Sequence, residues 1–153
     1  MTQALPNLFV PGDREFLARR LSELEPTAQR RWGTMTPAQM LRHCAVGLEA
    51  ATGDRPMRQV FLGRLLAPLM LRGALGPRPI AKGIPTDPAF RIVGELDFEA
   101  ERTRLATLLD RFIRRGPEGA EGATHAFFGR MEGRAWGRLM YKHLDHHLTQ
   151  FGV

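Results

Sequence analysis

The stretch Trp136 to Phe151, WGRLMYKHLDHHLTQF, holds three of the chain's five histidines within five residues. Steps of three and four residues return to the same face of a helix. Trp136, Met140, His143, His147 and Phe151 therefore share one stripe. His146 falls off that stripe by about a quarter turn, at ~100° per residue. The pair His143 and His147 thus points to where a core should be. Two inward imidazoles cost desolvation when charged and need partners when neutral. A shared metal ion satisfies both, and so do ordinary hydrogen-bond partners; the spacing alone leaves both readings open. HLDHH lacks the glutamate that serves as base in the zincin motif.

The rest of the chain sets the frame. Its 153 residues predict one domain, residues 1–153, long enough to bury most of its apolar surface. A hydrophobic content of 43% and a charged content of 25% match a soluble globular protein. The N-terminal MTQALPNLFVPGDRE lacks the basic start and apolar centre of a signal peptide. Val60 to Leu75 is the most apolar window, but Arg64, Pro68 and Arg72 make it too short and too charged to span a bilayer. No membrane partner is expected, and the cytoplasm is the expected location. A single cysteine, Cys44, excludes an internal disulfide and a cysteine-based zinc cluster. It reads as a small core residue. The net charge of +6 is nearly all arginine, with only Lys82 and Lys142 as lysines. The arginines are scattered and form no run of nucleic-acid-binding type, so no nucleic acid partner is expected.

Helix signals recur along the chain. Asp13 is the expected cap of a first helix to about Glu25, with Phe16, Leu17, Leu21 and Leu24 inward and Pro26 as its stop. Thr36-Pro37-Ala38-Gln39 carries a capping box and a proline at the first helical position. The helix it starts runs to about Thr52, with Met40, Cys44, Gly47 and Ala51 inward and His43 at the edge. Met57 to Leu75 is a third helical piece that Pro68 should kink or split. Gly76 to Pro88 reads as a loop. Asp97 caps a further helix with Phe98, Leu105, Leu108, Leu109 and Phe112 on one stripe, stopped by Gly116-Pro117. The last helix begins near Met131 or Glu132. No stretch alternates with a period of two for long enough to predict a strand. The expected class is all-α: a four-helix bundle with long connections and an additional short helical segment.

RWGTMTPAQMLRH, the HAFFG segment and WGRLMYKHLDHHLTQFGV together resemble the DinB-like superfamily, and within it a branch catalogued as a domain of unknown function. The similarity runs from about Trp32 to Gly152. It implies a four-helix bundle, often dimeric, that holds a divalent metal ion, zinc or nickel, on three histidines. One comes from the second helix and two, spaced four apart, from the last. Carried onto this chain, those positions are His43, His143 and His147, in agreement with the face that already preferred His147 to His146. The branch usually reads His-Pro-x-Phe-Gly where this chain has His125-Ala126-Phe127-Phe128-Gly129. That change loosens a turn without touching a ligand. His125 reads either as a loop histidine bonded to backbone or as a proton shuttle or fourth ligand. Asp145 is a candidate to orient a ligand histidine, Gln150 either bonds near the site or is exposed, and Trp32 and Trp136 are expected to pack the helices.

Three neutral imidazoles leave coordination positions open, which points to chemistry. By resemblance the chain is a metal-dependent enzyme, a thiol-dependent transferase that joins a small-molecule thiol to an electrophilic substrate. The alternative is a non-catalytic, metal-stabilised helical module for binding or stress response.

Overall fold

The computed structural model describes residues 4–84, 88 and 91–153. Among them are five helices: α1, Pro11–Glu23; α2, Pro37–Ala51; α3, Phe61–Ala74; α4, Phe98–Ala120; and α5, Gly133–Gln150. Two two-residue strands, β1 (Thr124–His125) and β2 (Gly129–Arg130), pair antiparallel before α5. The all-α expectation holds. No helix among the described residues is long and apolar enough to cross a membrane.

Local chemistry explains most boundaries. Thr36 accepts from the Gln39 backbone N–H while the Gln39 side chain accepts from the Thr36 N–H, so both halves of the predicted capping box form. Asp97 caps α4 through the Ala100 N–H. The helical path of α4 breaks at Gly116, whose φ of 67° suits a residue without a Cβ, and Pro117 follows. The sequence misplaces the start of α1. Its N-cap is Val10 and its first turn is set by Pro11. Asp13 lies inside the first turn and accepts instead from the Asn7 N–H. Phe16, expected inward, is 42% exposed and lies under the Arg19 and Arg20 guanidinium groups. Pro68 does not split α3, which starts at Phe61 rather than Met57 and continues to Ala74. The proline faces solvent, where a carbonyl left without its helical partner is hydrated. The predicted loop at 76–84 has no helix or strand; its part at 85–87 lies outside the described residues. β1 and β2 are too short to give a period-two signal.

The core forms where α2 packs against α4 and α5, and α5 against α1 and α4. α2 is buried on nearly every side: Met40, Leu41, Cys44, Ala45, Val46, Leu48, Ala50 and Ala51 are all inside. The α4 stripe of Phe98, Leu105, Leu108, Leu109 and Phe112 is buried as predicted, as are Trp136 and Met140 of α5. α2 and α4 also share an ion pair. Arg42 meets both oxygens of Glu101, Nε to Oε2 at 2.6 Å and a terminal nitrogen to Oε1 at 2.5 Å, and Glu101 is 5% exposed. Arg42 keeps a third of its side chain exposed and can rehydrate, so Glu101→Ala should cost about 2 kcal/mol in urea unfolding, the loss of two charge-assisted hydrogen bonds. Glu99→Ala, which breaks only the exposed pair with Arg102, should cost less than about 0.5 kcal/mol. Equal effects would mean that the buried pair contributes nothing beyond its surface counterpart.

α3 stands apart and is held by its C-terminus. Arg138 and Lys142 of α5, both buried, donate to the last carbonyls of α3 and the turn after it. Arg138 bonds Leu75 and Gly76, and Lys142 bonds Ala74 and Gly76. Cations at a helix C-terminus complete its free carbonyls and oppose its dipole. Burial lowers the pKa of both.

Candidate metal centre

Two helices bring the chain's central histidines together. The capping box fixes the start of α2, and two turns later His43 faces α5. From α5, His143 and His147 project one turn apart toward it. His43 and His147 are 7% and 8% exposed. The three rings form a triangle with every pair of centroids 4.8 Å apart and ring planes inclined at 62°, 77° and 84°. One ring nitrogen from each lies within 4.8 Å of the others. The centre of that triangle is about 2.8 Å from each centroid. A histidine nitrogen binding at ~2.0–2.1 Å sets its ring centroid about 3.2 Å from an ion. The triangle therefore has the dimensions of a three-imidazole donor set.

Hydrogen bonding gives the same indication. His43 Nε2 and His143 Nε2 are 2.9 Å apart, a separation at which two lone pairs need a proton or a cation to reconcile them. On the far side of His143, Nδ1 is sealed from solvent and has no hydrogen-bond partner among the described residues. It faces Gly47, where a Cβ would come to 3.3 Å from that nitrogen, so glycine one turn after His43 makes room for the ring. His147 is oriented differently. Its Nδ1 lies 2.9 Å from Gln150 Oε1, while the Gln150 amide nitrogen donates to the Trp32 carbonyl at 2.7 Å. Since the amide nitrogen is committed to a carbonyl, its oxygen accepts from His147 Nδ1–H. That leaves the Nε2 lone pair for the centre. Gly33 completes the arrangement. With φ at 77°, its missing Cβ would stand 2.6 Å from the Gln150 nitrogen.

The centre is built for neutral imidazoles. Burial, and then repulsion from His147 and His43, hold His143 well below the ordinary histidine pKa. Burial and the nearby His43 push His147 down to about 3 against the partial opposition of Gln150. Neutral, buried, lone-pair-bearing nitrogens are the form a divalent ion takes.

The other sequence candidates separate cleanly. His146 stays outside the triad, its ring 5.3 Å from Trp32, with burial lowering its pKa. Trp32 does not pack the interior. It is half-buried beneath the Lys82 ammonium, 4.3 Å from the ring centroid. Trp136 is fully buried and donates to the Ala123 carbonyl. His125 takes its backbone reading: Nδ1 accepts from the Phe127 and Phe128 N–H groups and shapes the β1–β2 turn. Asp145 does not orient a histidine; it pairs with Arg20 at 2.5 Å. Gln150 fills that place, buried at 2% exposure. Cys44 lies in the core, its thiol pKa raised by burial.

Residues 13–152 match the model of a family described as a protein of unknown function, DUF1569. The chain belongs to that family. Neither the curated proteins nor the solved structures contain a match to this DUF1569 protein.

Proposed function

We propose that this DUF1569 protein binds a divalent first-row metal ion, zinc or nickel, through His43, His143 and His147, as a DinB-like three-histidine protein. The observation that carries the reading is the equilateral triangle of imidazoles, His43 and His147 buried and His143 partly so, with Gln150 holding His147 in the tautomer a ligand needs. A three-imidazole set leaves positions for an exchangeable ligand. An ion there would supply Lewis acidity and lower the pKa of a bound thiol. The reaction class is then transfer of a small-molecule thiol to an electrophile. The protein's own part is to keep three nitrogens deprotonated, fix their rings and exclude competing protons. Elemental analysis of protein prepared without a histidine tag should find about one ion per chain. Substoichiometric metal after growth with added zinc and nickel, combined with no heat of binding on titration, would remove the reading.

One observation favours a second role for the same ion. His43 of α2 and His147 of α5 are only 7% and 8% exposed, so the ligands of the two helices face each other rather than solvent. An ion in a centre with little access staples α2 to α5 and need not turn over substrate. Gln150→Leu tests the arrangement under either role. It should weaken zinc affinity about 10–100-fold while Asp145→Asn leaves it unchanged; the reverse order would assign the orienting role wrongly.

A further inference from the structure

Among the described residues, nothing covers the apolar side of α3. Phe61, Leu65 and Leu69 recur at four-residue steps and are 84%, 73% and 80% exposed; Leu62 and Met70 flank them at 57% and 49%. A row of this kind exceeds the scattered apolar exposure of ordinary surfaces. The helix cannot roll to hide it. Its inward face is Gly63 and Ala67, and a Cβ on Gly63 would stand 2.2 Å from the Phe127 carbonyl. The clamp from Arg138 and Lys142 fixes its other end.

Charge identifies what covers this face. Residues 55–86 contain Arg55, Arg58, Arg64, Arg72, Arg78 and Lys82 and no aspartate or glutamate, so this one segment carries +6, equal to the net charge of the whole chain. Arg72 follows Leu65 by two turns and so lies on the same outward side, and Arg64 flanks it; both are exposed. A second copy meeting this face across a twofold axis would bring the same arginines against themselves, with no acid in the segment to pair them. Nucleic acid would satisfy the arginines and leave the row of leucines unexplained. A surface that offers both anions and an apolar layer satisfies both sets. We infer that α3 docks this protein on anionic lipid bilayers, lying in the headgroup plane. Phe61, Leu65 and Leu69 enter the acyl boundary, and Arg64 and Arg72 reach the lipid phosphates. The sequence expectation of no membrane partner rested on spanning length, which a helix lying in the surface does not need. The docking is independent of the metal centre.

Co-sedimentation of the full-length chain with vesicles tests this. Binding is expected to vesicles containing phosphatidylglycerol, to fall as salt rises, and to be weak on phosphatidylcholine alone. R64Q/R72Q should weaken it roughly 25-fold, about fivefold per arginine. L65S/L69S, which keeps the charge, should weaken it about a hundredfold or more. Circular dichroism of each variant separates lost docking from lost fold, and F61S with Leu65 and Leu69 intact provides a milder variant should L65S/L69S unfold. The inference is overturned by absence of vesicle binding, by binding indifferent to both classes of variant, or by a wild-type dimer in sedimentation velocity that L65S/L69S dissociates. The last outcome would assign the face to a second copy, and binding of an acidic peptide in preference to the vesicles would assign it to a protein partner.

Discussion

Zinc added to the metal-stripped protein should raise its melting temperature by about 5–10 °C, and replacing His43, His143 or His147 with alanine should abolish the rise. The size follows from linkage. An ion at a hundred times its dissociation constant contributes about 2.7 kcal/mol to the native state. A chain of this length gains roughly 2–4 °C per kcal/mol. The ligands come from two helices, so an unfolded chain offers no equivalent site, and the binding energy counts toward folding. His146→Ala and His125→Ala are the controls. His146 is adjacent to His147 in sequence yet directed at Trp32, and His125 Nδ1 is committed to the β1–β2 turn. Both variants should keep the full shift. If His146→Ala loses it and His147→Ala keeps it, the triangle of rings is not the binding site. Differential scanning fluorimetry over a zinc titration, with and without chelator, is sufficient to decide.

The centre was legible in the sequence because it rests on helical periodicity and a capping box. Trp136, Met140, His143 and His147 fall on one stripe by counting alone, and Thr36 with Gln39 fixes where α2 begins, while the same counting leaves His43 at the edge of its helix rather than inside at 7% exposure. Position 43 entered only through resemblance, since no local pattern says that α2 and α5 touch. Gln150 was harder to read. From spacing it stands one turn past His147, but what makes it an orienting group is the Trp32 carbonyl, delivered by a turn that depends on Gly33 having φ at 77°. Asp145 was the more obvious candidate and is taken by Arg20, a contact between residues 125 positions apart. Asp13 misled for a related reason: an acidic residue near a helix start resembles a cap, while Pro11 had already set the first turn. The exposed row on α3 was visible as apolar residues but not as exposure. Sequence gives the stripe; only the contact of Gly63 with the β1–β2 turn decides which side faces inward.

Acid should destabilise the metal-stripped protein well above the range where carboxylates titrate. His147 titrates at about 3 in the native state and His143 lies well below the ordinary value, both chiefly through burial. In the unfolded chain each returns to about 6.5. Above that pH neither state binds protons at these rings, and stability is flat. Between about 6.5 and the native values the unfolded state binds protons that the native state refuses. Stability therefore falls as pH falls, by about 1.4 kcal/mol per pH unit for each ring. From pH 6.5 to 5 His147 alone removes roughly 1.5 kcal/mol of a typical 5–15 kcal/mol, and His143 acts in the same direction. Carboxylates in the unfolded chain titrate lower, near and below pH 4.3, so the window above pH 5 belongs to the histidines. Urea midpoints measured across pH 5–7.5 in chelator should show this slope, and the His143→Leu/His147→Leu double variant should reduce it to the share that His146 contributes. The double variant removes the protonation sites without adding a charge, so a flat wild-type profile, or an unchanged slope in the variant, would mean that these rings are not held neutral by the fold. With zinc present the whole profile should rise with its slope unchanged, because the native rings already bind no proton in this window and the ion displaces none.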